Sequence, residues 1–148
     1  MFAYIQQVSA NDEFINLRHK LLRPGRARSS AFFEGDNRCD TFHFSALKNQ
    51  TIVGIVSYIK RKNATLPHSA NMYQLRGMAV DMSLRGFGIG KKLIDASVNI
   101  LKLNKIGLIW CNSRKESVPF YLKNGFIKKG DYFDIPDVGS HILMYKLI

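Results

Sequence analysis

Residues 85–91 read R-G-F-G-I-G-K, set between an apolar strand-like run, Leu75 to Val80, and a helix-like run that starts near Ile89 and continues past Leu101. Glycines let backbone N–H groups come close to an anion, and a helix N-terminus adds partial positive charge. The order strand, glycine loop, helix therefore predicts a phosphate cradle built from Arg85, Gly86, Phe87, Gly88, Ile89, Gly90 and Lys91. Other phosphate loops fit this stretch poorly. A Walker A loop needs Ser or Thr after its Lys, whereas Lys91 is followed by Lys92. A dinucleotide fingerprint needs glycines at its first, third and sixth positions, whereas Gly86, Gly88 and Gly90 are evenly spaced.

The elements that must hold this loop alternate along the chain. Phe2 to Val8 reads as a strand, and Ser9 with Asp12 resembles a capping box opening a helix over Asn11 to Leu22, stopped by Arg23-Pro24-Gly25. Thr41 to Leu47 and Thr51 to Lys60, separated by Lys48-Asn49-Gln50, predict a β-hairpin, and Met72 to Asp81 a further strand. After the loop, Ile89, Leu93, Ala96, Ile100 and Leu103 form one apolar helical stripe ending at Asn104 and Gly107. Ile106 to Cys111 predicts a strand buried on both faces, and Ser117 to Lys123 a short helix ended by Asn124-Gly125. Phe126 begins a strand, a polar loop with Gly130, Pro136 and Gly139 follows, and His141 to Ile148 is the last strand.

Composition bounds the rest. A chain of 148 residues, 46% hydrophobic, suits one domain over 1–148, since such a length buries roughly 70% of the unfolded surface. The start has no basic n-region and no long apolar run, so neither a signal peptide nor a membrane span is predicted, and a cytoplasmic location is expected. Cys39 and Cys111 match no metal spacing and read as reduced thiols. A net charge of +11 favours anionic partners.

The run M-A-V-D-M-S-L-R-G-F-G-I-G-K, Met78 to Lys91, resembles the strand, loop and helix signature of the GNAT superfamily of acyl-CoA-dependent N-acyltransferases, with Arg85, Gly88 and Gly90 at its marked positions. A second block, Ser117-Val-Pro-Phe-Tyr121-Leu-Lys-Asn-Gly125-Phe126, is similar to that family's short helix carrying a Tyr and followed by Gly-Phe. The tail Phe133 to Met144 resembles the end of small bacterial-type members. The resemblance implies an α/β, three-layer α-β-α fold with a mixed, mostly antiparallel central sheet splayed at the cofactor site.

It also implies acetyl-CoA as co-substrate, with no metal. The diphosphate would rest on the amides of Arg85 to Lys91, and the pantetheine arm would lie between Met78, Ala79 and Val80 on one strand and Leu108 to Asn112 on the other, with Asn112, Ser117 and Tyr121 as further contacts. Direct attack of a neutral amine on the thioester needs an oxyanion donor, for which the N–H near Val80 stands in the family's place. It also needs a proton donor for the departing thiolate. Tyr121 suits that role, since a phenol with a reference pKa near 10 stays protonated at neutral pH. Where many relatives carry a Glu base, this chain has Gln74, so His43 and His141 stand as the alternatives by residue type.

The acceptor, a primary amine of a small molecule or peptide, has two opposed readings. Glu34, Asp36, Asp40, Asp131, Asp134 and Asp137 cluster in two loops and would form an acidic mouth for a cationic amine. Arg18, Lys20, Arg23, Arg26 and Arg28 would instead hold a carboxylate on an amino-acid-like acceptor. Two other functions compete: a non-catalytic acyl-CoA-binding sensor, and a nucleic-acid module suggested by charge and aromatics. Most of those aromatics sit at core-like strand positions and no nucleic-acid motif is present, so no nucleic-acid or membrane partner is expected and a homodimer is left open.

Overall fold

The hairpin expected from residue 41 to residue 60 closes on Asn49 and Gln50, whose positive φ values of 50° and 65° give the tight two-residue turn that matches strand twist. The structure, a computed structural model, describes residues 3–66 and 71–148. The first residues of the strand expected from Phe2 thus begin outside the described residues.

The elements run β1 (Tyr4–Val8), α1 (Asp12–Leu22), β2 (Phe42–Lys48), β3 (Thr51–Lys60), β4 (Met72–Val80), α2 (Ile89–Leu103), β5 (Leu108–Arg114), α3 (Val118–Lys123), β6 (Ile127–Ile135) and β7 (Gly139–Leu147). They form one seven-stranded sheet of order β1-β2-β3-β4-β5-β7-β6, antiparallel except between β4 and β5. Helix α2 packs Leu93, Ile94 and Leu101 against Phe44, Val56 and Tyr58 on one face. Helix α1 packs Phe14 and Ile15 against Ile55 and Ala79 on the other. Ile55 and Val56 alternate across the pleat, so helices cover both sides of β3, as the three-layer expectation requires. Among the described residues no helix is long and apolar enough to cross a membrane.

Four local readings change. The cap of α1 is Asn11, whose Oδ1 accepts the Phe14 N–H at 3.0 Å, and not Ser9. The buried stripe of α2 is Ile89, Leu93, Ile94, Ser97, Val98 and Leu101, while Leu103 is exposed and Ala96 and Ile100 are half-buried. The inside place goes to Ser97 because its hydroxyl meets the buried Tyr58 hydroxyl at 2.7 Å and donates to the Leu93 carbonyl at 2.6 Å. The polar segment after Phe126 is mostly strand: β6 runs through Gly130 to Ile135, and only a turn at 136–138 separates it from β7. Strand β5 continues past Cys111 to Arg114.

Arg18 is fully buried under α1, where it forms a two-pronged pair with Asp36 at 2.7 and 3.1 Å and also donates to the Ala31 carbonyl and the Ser57 hydroxyl. Asp36 in turn accepts the Phe33 N–H at 2.7 Å, which fixes the loop between α1 and β2. His43 completes the network: Nε2–H donates to the Asp36 carbonyl at 2.8 Å, and Nδ1 lies 2.7 Å from the Ser57 hydroxyl, from which it accepts. Asp36 and Arg18 thus neutralise each other inside the protein, so neither serves the surface roles their positions in sequence suggest.

Asp36→Ala, which leaves the Arg18 charge buried and alone, is expected to cost about 3–5 kcal/mol in urea unfolding. Burial, reinforced by Arg18, lowers the His43 pKa below its usual 6.5 despite its contact with Asp36. The unfolded chain therefore takes up this proton first as pH falls, so the His43 contribution to stability is present above 6.5 and lost as pH drops through the folded value. Melting temperatures measured on either side of 6.5 should fall on the acid side, with a shallower slope in His43→Gln.

Candidate active site

Parallel pairing between β4 and β5 lasts three residues, Met72–Gln74 against Leu108–Trp110, and then stops although both strands run on to Val80 and Arg114. Their facing edges part and leave main-chain N–H and C=O groups without a sheet partner across the gap. A bulge in β4 accompanies the parting: Ser57 pairs Arg76 and Ile55 pairs Ala79, so Gly77 and Met78 together oppose Val56. Such an extra residue bends and twists its strand. Gly77 has φ 62°, and a Cβ there would come within 2.8 Å of the Phe33 ring.

Beyond the bulge, the Asp81 N–H reaches the Val53 carbonyl at 2.8 Å. Because antiparallel residues alternate in direction, the N–H and C=O of Val80 point the other way, over the gap. The Val80 carbonyl there accepts from Arg85 Nε at 3.2 Å.

The loop after β4 carries positive φ at Gly86 (85°) and Gly88 (81°), and nothing lies within 4 Å of a Cβ built at either, so its outer surface is open backbone. Gly88 caps α2 with no side-chain hydrogen bond, and the first helical bond runs from the Lys92 N–H to the Gly88 carbonyl. The amides of Ile89, Gly90 and Lys91 are left facing out of the helix end, an anion-binding arrangement. The residues present fit a diphosphate. Phe87 is exposed beside them, and Lys91 forms an ion pair with Asp95 one turn further along α2.

Helix α3 presses on the start of α2. A Cβ on Gly90 would lie 2.8 Å from the Phe120 ring and 3.4 Å from Met78 Cε, so only glycine admits this contact. Next to it, Tyr121 is buried edge-to-face between Phe120 and Phe126, at 5.2 and 5.1 Å. Burial raises its phenol pKa well above 10, so the proton stays on the oxygen throughout the neutral range. Ser117 stands half-buried just ahead of α3 with no capping bond from its side chain.

Met78, Val80, Ile89 and Tyr121 thus share the α2 side of the sheet. Ala79 faces α1 instead. Asn112, exposed opposite Leu143, has the same parity along β5 as Trp110 and lies on the face away from Tyr121.

The α1 face at the same opening brings Arg18, Arg23 and His141, expected from sequence, together with Arg76 and Arg114, which sequence reading passed over. Arg76 of β4 lies 4.6 Å over the Phe33 ring, Arg23 5.2 Å and the buried Arg18 3.9 Å. The signal was an arginine inside an otherwise apolar β4 run. Arg114, the last residue of β5, pairs across to His141. His141 is buried and stacked on Phe133, and its Nδ1–H donates to the Gly139 carbonyl at 2.7 Å, which leaves Nε2 as an acceptor without a protein partner among the described residues. His43 has both ring nitrogens committed, so the two histidines are not equivalent. Gln74, at the fork, accepts from Arg61 at 3.0 Å. Gly90→Ala, which forces Phe120 away from α2, is expected to weaken binding of coenzyme A at least tenfold in titration calorimetry while the far-UV circular dichroism stays unchanged.

The family model described as acetyltransferase (GNAT) family matches residues 10–126. A Bacillus subtilis (strain 168) protein named as an uncharacterized N-acetyltransferase, YitI, is 31% identical over 144 residues, covering 97% of this chain and 95% of its own. Among solved structures, Escherichia coli ElaA superposes with a TM-score of 0.78 at 16% identity, over 98% of this chain and 99% of that one. An aminoglycoside 6'-N-acetyltransferase complexed with coenzyme A superposes with a TM-score of 0.74 at 17% identity, over 99% and 97% of the two chains.

Proposed function

As the chain belongs to the acetyltransferase (GNAT) family and is an acyltransferase, we propose that it transfers an acetyl group from acetyl-CoA to the primary amine of a small molecule or peptide by direct attack. The observation that carries this reading is the junction of two features at one place: strand edges that stop pairing after Gln74 and Trp110, and an uncapped helix end behind an open glycine loop.

In this reading the amides from Arg85 to Lys91, with Gly86, Phe87, Gly88, Ile89 and Gly90 between them, hold the diphosphate. The opened edges at Met78, Ala79 and Val80 and at Asn112 receive the amide-bearing arm, with Ser117 at its end. When bound, acetyl-CoA supplies the activated acyl group as a thioester. The Val80 N–H, aimed over the gap, donates a hydrogen bond to the negative charge that develops on the carbonyl oxygen. Tyr121 keeps its proton in the apolar wall beside Phe120 and Phe126 and donates it to the departing sulfur. His141 Nε2 takes the proton of the attacking amine, a role its free lone pair permits and the doubly bonded His43 does not.

Tyr121→Phe should lower kcat by about 10²-fold, the usual worth of one proton donor, with little change in the dissociation constant for acetyl-CoA. Equal turnover by the variant removes Tyr121 from the mechanism, and binding of acetyl-CoA without turnover of any amine by the wild-type chain makes it a sensor. His141→Gln should cost turnover on a similar scale in a thiol-release assay, whereas His43→Gln should act through stability.

A further inference from the structure

We propose that the acceptor is an anionic amine, whose carboxylate or phosphate is gripped by an arginine cluster on the α1 face of the splayed strands; this deepens the acetyltransferase reading and rests on it. Arg76 lies two residues past the last β4–β5 pair, Arg114 closes β5, and Arg23 and Arg26 follow α1. Arg23, Arg26 and Arg114 line a cleft of about 210 Å³ closed by Asp137 and Val138 in the β6–β7 turn.

None of Arg23, Arg26, Arg76 and Arg114 has an acidic partner within ion-pair distance among the described residues. Crowding and burial show in their chemistry. The Arg23 pKa is lowered by burial and then by Arg26, Arg114 and Arg18, and that of Arg76 by burial and then by Arg61, Arg18 and Arg23. Like charges held together in this way are relieved by an anion placed among them.

The Phe33 ring explains how two of them, Arg23 and Arg76, are held. Arg18 is neutralised by Asp36 and supports the ring, while Arg23 and Arg76 lie over it. Arg23 spends one N–H on the Leu22 carbonyl at 3.0 Å, and the remaining edge of a stacked guanidinium suits recognition of a carboxylate or phosphate.

The acidic-mouth alternative is dispersed, with Glu34 left exposed in the first loop. Asp36 is buried with Arg18, and Asp40 pairs with Arg38. Asp131 and Asp134 sit on the exposed edge strand β6, and Asp137 is the one acid lining the cleft, against three arginines. An amine entering from this face, opposite α2 and its glycine loop, would meet His141 beside Arg114 while its anionic group rests on the arginines.

The test pairs matched acceptors: ω-amino acids of three to six carbons against their carboxamides, O-phosphoethanolamine against ethanolamine, and spermidine as the cation. Thiol release from acetyl-CoA and titration calorimetry of the same compounds in the presence of coenzyme A are both read. The anionic member of at least one pair should show a tenfold or greater advantage in kcat/KM and in affinity, the pair that responds telling carboxylate from phosphate. Arg76→Gln should erase that advantage through KM. Arg114→Gln and Arg26→Gln, at exposed positions whose loss leaves the melting temperature unchanged, should reduce it severalfold.

Turnover confined to neutral or cationic amines overturns the proposal and leaves the acetyltransferase standing. Arginine-dependent binding of the anionic compounds without turnover supports the site while removing the reaction. Equal affinity for both members of every pair sinks the site outright.

Discussion

The whole arrangement depends on one interruption: after Gln74 and Trp110 the two central strands cease to bond each other. Main-chain groups inside a sheet are normally satisfied by their neighbours, so an opening in the middle needs support on every side. Here the β4 bulge at Gly77 and Met78 bends one strand away. Strand β5 is held from its other edge along its full length by β7, from Leu108 against Leu147 to Arg114 against His141. The gap is therefore held open from outside by the rest of the sheet, and its two edges stay available as hydrogen-bonding surface.

The two faces of that opening are chemically different, and the difference follows from what each helix brings. On the α2 side lie apolar packing, the buried Tyr121 phenol and a helix end presenting free amides. On the α1 side lie Phe33, the guanidiniums of Arg23, Arg26, Arg76 and Arg114, which have no acidic partner among the described residues, and His141. The buried pair between Arg18 and Asp36 links the second set to the fold, because it anchors the loop carrying Phe33 and sits beneath the bulged β4. A pair of this kind is weak evidence for net stability, yet it fixes where a neighbouring ring must lie.

Much of this was legible in the chain. The glycine loop, the helix after it and the hairpin at Asn49-Gln50 each depend on local chemistry, where residue type and spacing suffice. The aromatic block around Tyr121 was legible for the same reason. Features set by distant partners were not. Ser97 occupies a core place only because Tyr58, far away in sequence, supplies its hydrogen bond. Asp36 reads as a surface loop acid until Arg18 is brought to it by α1. The parting of β4 and β5 is marked only by Arg76 and Gly77 within β4 and by the polar end of β5, none of which names a partner, and Gly77 shows its function only against the ring of Phe33. Asn112, plausible as a strand-end partner, has its side chain placed by the pleat alone.

Strand β6 forms the outer border of the sheet and is exposed along nearly its whole length, with Ile127, Tyr132 and Phe133 uncovered. A long bare border of this sort is a template for stray strands during synthesis. Lys128 and Lys129 lie on it, and its pairing with β7 breaks register between Lys129 and Phe133. Charge and kink together deny an incoming chain a flat ladder, so this border is guarded against aggregation although it is exposed.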